Sequence, residues 1–122
     1  AFGQPTGQRH AVLIAYLRER QITRFHTDYW TCYKVVFATD RQLACAVFHD
    51  KRVFDHGTTR LHEMNDLVTA TPHAPYIFDM SSAQQRDRAD EFAAAIARGD
   101  PRAAGYRPAQ VGEYEVYTYA GG

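Results

Sequence analysis

Between residues 49 and 63 the chain reads HDKRVFDHGTTRLHE, which places His49, His56 and His62 among Asp50, Asp55 and Glu63. Imidazole and carboxylate together suit zinc or a similar metal. The three histidines are therefore the metal-ligand candidates. Their separations, six and five intervening residues, match no established ligand motif such as HExxH. Histidines scattered over a loop surface are the competing account. A metal site here would be a loop site, sensitive to pH near about 6–7.

A second set comes from strand ends. In open α/β sheets, ligands sit beyond the carboxyl ends of the strands. That edge collects His26 and Asp28, then His49 and Asp50, then Asp79, and these five are the ligand-binding candidates. Three carboxylates at one edge would suit a hard divalent cation. Aspartates at such junctions are also ordinary helix caps and turn residues, and that account is favoured. No catalytic residue is assigned, because the chain carries no G-x-S-x-G elbow, glycine-rich phosphate loop or C-x-x-C. No cofactor is expected, a divalent metal being the one candidate.

These residues must be positioned by a single domain. A chain of 122 residues can bury roughly two-thirds of its unfolded surface in one core. Fourteen basic residues balance fourteen acidic ones, so no net field favours nucleic acid or an anionic membrane. The longest apolar run, residues 11–17, is far short of the ~20 needed to cross a bilayer. The chain opens on Ala rather than Met and is expected to be an excised or processed piece of something longer. Cys32 and Cys45 lie in apolar surroundings and are read mainly as small buried hydrophobes, with a bridge between them the lesser alternative.

Helical spacing marks residues 5–21, with Val12, Leu13, Tyr16 and Leu17 as the apolar stripe. Residues 22–26, 43–48 and 75–79 read as short strands, the second apolar throughout as in a strand covered on both faces. A turn at 55–59 leads into a helix carrying Leu61, Met64, Leu67 and Val68, which Pro72 ends. The clearest helix is 82–98. Ser82 with Gln85 makes a capping box, Ala89, Phe92, Ala93 and Ile96 line one face, and Gly99 closes it. Residues 106–111 and 113–119 flank Gly112 as an antiparallel pair.

The stretch TDYWTCYKVVFATD, residues 27–40, is ambiguous. Propensity favours a strand, whereas Tyr29, Trp30, Tyr33, Val36 and Phe37 gather on one side of a helix. As a strand it would form a hairpin with 43–48 and make the fold α+β. As a helix it makes the fold α/β: a three-layer sandwich with a mixed sheet of about five strands, three parallel and Rossmann-like plus a C-terminal antiparallel pair. The aromatics are then expected to fill the space between helix and sheet, with stacking against a sugar as their alternative role.

The residues Asp28-Tyr29-Trp30, Tyr33 three positions on and a hydrophobic run into 43–48 carry a family resemblance. With Leu13 and Leu17, Tyr76-Ile77-Phe78 and the closing Gly112, Tyr114, Val116 and Tyr117, the chain resembles a particular soluble domain. The domain it resembles is the C-terminal one of polytopic bacterial membrane glycosyltransferases of the dolichyl-phosphate-mannose-protein mannosyltransferase type. Cys32 departs from this pattern, which carries Ala there, as does the histidine-rich segment 49–62. The resemblance implies an α/β sandwich on the extracytoplasmic face of a bacterial membrane, partnered by the transmembrane portion of the same parent protein. It implies a non-catalytic accessory role, contacting glycan, a lipid-linked donor or a partner. It also supports the helical reading of 28–38. The rival expectation is a stand-alone small α/β enzyme or metal binder working at the strand ends.

Overall fold

Apolar strands alternating with amphipathic helices give the order α1 (Thr6–Glu19), β1 (Arg24–Thr27), α2 (Tyr29–Ala38), β2 (Ala44–Val47), α3 (His62–Thr69), β3 (Tyr76–Asp79), α4 (Ala83–Ala97), β4 (Tyr106–Val111) and β5 (Tyr114–Tyr119). The computed structural model describes residues 6–121 apart from 58, 60 and 61. The expectations placed on Pro5, Thr58 and Leu61 therefore lie outside the described residues. The mixed sheet runs β2-β1-β3-β5-β4. Strand β1 pairs in parallel with β2 and β3, while β3–β5 and β4–β5 are antiparallel. This is the expected α/β sandwich of three parallel strands and a C-terminal antiparallel pair.

Strand alternation sorts the core into two layers. Phe25, Cys45, Val47, Ile77, Tyr114 and Val116 face α1 and α2, meeting Leu13, Leu17, Cys32, Val35 and Val36. On the opposite face Phe78, Tyr106 and Tyr117 meet Ala89, Phe92 and Ala95 of α4. Beside them Ala44 and Ala46 meet Val68 of α3. Small residues on β2 let α3 lie close to that strand.

Local signals place the helix ends. Asp28 caps α2, its carboxylate accepting the Thr31 N–H at 3.2 Å, and Ser82 caps α4 by accepting the Gln85 N–H at 3.4 Å. Gly99 closes α4 in the left-handed region at φ +74°. Some predicted stripes are rotated, however. Val12 and Leu67 are exposed although Leu13, Leu17 and Val68 beside them are buried, and Ala93 faces solvent while Ala95 is buried.

The largest correction falls on α2. Its buried residues are Thr31, Cys32, Val35 and Val36, and the expected aromatic face points outward. Trp30 is 69% exposed and Phe37 59%, with Tyr29 and Tyr33 half-buried between them. The aromatics form a ladder along the helix: Tyr29 meets Trp30 edge-on at 5.0 Å, and Tyr33 lies 4.5 Å from Tyr29 and 5.8 Å from Phe37. Small and β-branched residues win the sheet-facing side because they allow close approach of helix and strand. Cys32 and Cys45 are consequently bonded as a disulfide across a Cα separation of 5.7 Å. The free-thiol expectation for them is corrected.

Candidate functional site

At the carboxyl end of the parallel strands lies a crevice of about 470 Å³. The β1–α2 junction supplies Asp28, Tyr29 and Trp30. The end of β2 supplies Val47, Phe48, His49 and Asp50. Gly57 and the first turn of α4, with Gln84 and Gln85, complete the wall. This is the position at which open α/β sheets take ligands.

Of the five ligand-binding candidates, the structure brings Asp28, His49 and Asp50 into this crevice. Asp79 is not part of its wall; its carboxylate accepts from the Ser81 N–H at 3.0 Å and the Ser81 hydroxyl at 2.6 Å. His26 lines a second cavity of about 270 Å³ on the α3–α4 face, with Asp55, His56, Tyr76 and Arg102. The two cavities share Val47 and Phe48 as a common wall.

A backbone joint separates them. Phe48 bridges His56 in antiparallel fashion, and the Gly57 N–H donates to the Val47 carbonyl at 2.8 Å. A Cβ on Gly57 would sit 2.8 Å from the Phe48 carbonyl carbon and 2.9 Å from Val47 Cγ1, so only glycine fits without movement. The joint also parts the histidines: His49 lies on the crevice and His56 on the second cavity, while His62 is exposed at the start of α3. Among the described residues, no group of three His, Cys, Asp or Glu side chains is placed to hold a metal ion. The predicted His49–His56–His62 set is thus not assembled.

The strap 49–56 is fixed to α4, which gives the crevice a firm wall. Gln84 Nε2 and Arg88 Nη1 donate to the Asp50 carbonyl at 3.3 and 3.2 Å, and the Val53 N–H donates to Glu91 Oε1 at 3.0 Å. Arg88 also pairs with Glu91 at 3.3 Å. His49 Nδ1 accepts the Lys51 N–H at 3.0 Å and lies 3.3 Å from Asp50 Oδ1. One nitrogen cannot accept from Lys51 and donate to Asp50 at once. In the neutral ring the Lys51 bond requires the proton on Nε2, leaving that N–H as the ring's donor.

In the second cavity, His26 stacks on Tyr76 with centroids 4.3 Å apart and 14° between planes. Burial, reinforced by His56, pushes the His26 pKa down to about 4. Burial also pushes the Tyr76 hydroxyl up to about 12, against the opposing pull of Arg102. Both rings are therefore neutral near pH 7.

Three crevice residues differ from their sequence expectation. Trp30 is expected mainly in the core, with sugar stacking as its alternative role, Gly57 in an ordinary turn and Gln85 in a capping box. Only half of that box forms: Ser82 accepts from the Gln85 backbone, but the Ser82 N–H donates to the Asp79 carbonyl at 3.2 Å. The Gln85 side chain instead lies on the crevice wall, 6% exposed, and its amide oxygen has no hydrogen-bond partner among the described residues. Comparison with protein-family models, curated proteins and solved structures returned no match for the chain.

Proposed function

We propose that this domain is a non-catalytic accessory module that binds glycan in the strand-end crevice. The observation that carries the reading is Trp30, 69% exposed and forming part of the crevice wall beside Tyr29. An indole face stacks on the C–H face of a sugar ring, while the Asp28 and Asp50 carboxylates supply acceptors for hydroxyls. The DYW-x-x-Y resemblance motivates the setting: the extracytoplasmic face of a bacterial membrane, beside the transmembrane portion of a glycosyltransferase-like parent. The Cys32–Cys45 disulfide supports an oxidising compartment. No helix among the described residues is long and apolar enough to cross a membrane, so any anchor in this reading belongs to the parent.

Trp30 is the sole tryptophan, so its fluorescence reports on the crevice alone. Titration with mannotriose, cellotriose and chitotriose should give a saturable change with at least one sugar. Trp30→Ala should weaken that binding about tenfold, measured by calorimetry, with far-ultraviolet circular dichroism unchanged. A flat fluorescence response to all three sugars would remove the glycan reading. The parent assignment is tested separately, since an upstream coding sequence without transmembrane segments would sink it.

A further inference from the structure

The chemistry of Gln85 narrows the sugar. At the third position of α4, a glutamine side chain normally turns back to the N-cap backbone N–H. Here that N–H is taken by the Asp79 carbonyl, and Gln85 stays on the crevice wall, 6% exposed, its buried amide oxygen without a partner among the described residues. A buried polar atom without a protein partner is costly, and water or a ligand group completes it.

A primary amide offers a donor and an acceptor in one plane. Its natural complement is a secondary amide, whose N–H donates to Oε1 while its carbonyl accepts from Nε2. The same wall carries Val47 and Phe48, both nearly fully buried, as an apolar seat for a methyl group. Trp30 supplies the stacking face for a ring. Asp28 and Asp50 contribute two carboxylates, and no Lys or Arg is among the described residues that line the crevice, which disfavours phosphate- or carboxylate-bearing sugars.

We infer that the crevice reads the acetamido group of an uncharged 2-acetamido sugar, with Gln85 as the residue that sets this preference. The inference rests on the glycan reading above and deepens it. Chitotriose and cellotriose share the same β-1,4-linked backbone and differ at position 2, acetamido against hydroxyl, so they isolate the group in question.

Calorimetric and Trp30 fluorescence titrations should show chitotriose bound about tenfold or more tightly than cellotriose. Gln85→Leu should abolish the difference by weakening chitotriose while leaving cellotriose within about twofold. Gln85→Met provides the same loss should the leucine variant fold poorly, and the melting temperature of each variant reports its integrity. Equal affinity for the two sugars, or a preference that survives both substitutions, overturns the inference and leaves the glycan reading standing. N-acetyl-glycyl-glycine binding as tightly as chitotriose would assign the amide site to peptide and overturn it too. Silence from Trp30 with chitotriose and cellotriose brings down the inference, and silence with mannotriose as well brings down the glycan reading with it.

Discussion

His26 sits in the middle of a parallel strand with its ring pressed against Tyr76, a place where a charged imidazole is poorly solvated. Its pKa is pushed down to about 4 from an ordinary value near 6.5. Between those values the unfolded chain binds more protons than the folded one. The associated stability is therefore fully present above about pH 6.5 and lost as pH falls through about 4. The gap corresponds to roughly 3 kcal/mol as an upper bound. His26→Phe, which keeps the stack and removes the titration, should flatten urea-derived stability across that window. An unchanged pH slope in the variant would show that His26 is not its source. Single residues were unevenly legible. Asp28 declared itself as a cap by type and position. Gln85 was hidden because a serine three residues earlier explained it in full. The three histidines suggested a cluster, but the Phe48–His56 bridge puts His49 and His56 on different cavities, and His62 is exposed at the start of α3.

At the scale of elements, α2 shows where periodicity stops informing. Its sequence carries two stripes at helical spacing, one aromatic (Tyr29, Trp30, Tyr33, Phe37) and one of small and branched residues (Thr31, Cys32, Val35, Val36). Spacing identifies a helix in either case but does not choose the face. The choice depends on how closely the helix can approach β2, which is a property of both elements. The disulfide records the outcome by tying α2, which carries Trp30, to β2, which leads into His49. Closing a loop of this length stabilises by about 3 kcal/mol through the unfolded chain. The double variant Cys32→Ala, Cys45→Ala should lose that amount in denaturant unfolding, and the oxidised parent should lose a similar amount on full reduction. A double variant as stable as the oxidised parent would contradict the bridge's role. The remaining elements were legible because strand, cap and stop signals agreed, as at Ser82, Phe92 and Gly99 around α4.

The layered architecture of the whole molecule followed from the alternation of element types, but the sheet order did not, since neither β3 nor β5 names its neighbours in its own residues. That order divides the sheet into two ladders. Strands β1 and β2 are in register over four residue pairs, and β4 and β5 over six. Between the ladders, β1 and β3 share one registered pair, His26 with Tyr76. The His26 N–H to Pro75 carbonyl bond at 2.7 Å and the Thr27 hydroxyl to Ile77 carbonyl bond at 2.9 Å reinforce it. The His26 amide should therefore exchange with deuterium faster than the β4–β5 amides in a native-state experiment. Equal protection across both regions would show a uniformly cooperative sheet. A sugar held between Trp30 and Gln85 would span the ladders and slow that exchange. The two faces of this junction are also unlike. Helix α1 crosses it, joining Leu13 and Leu17 to Val111, Tyr114 and Val116 as well as to Phe25. On the other face α3 covers one ladder and α4 the other, with the His26 cavity between them. The junction at His26 and Tyr76 is thus backed by a helix on one face and by a cavity on the other, so its two sides meet unequal packing.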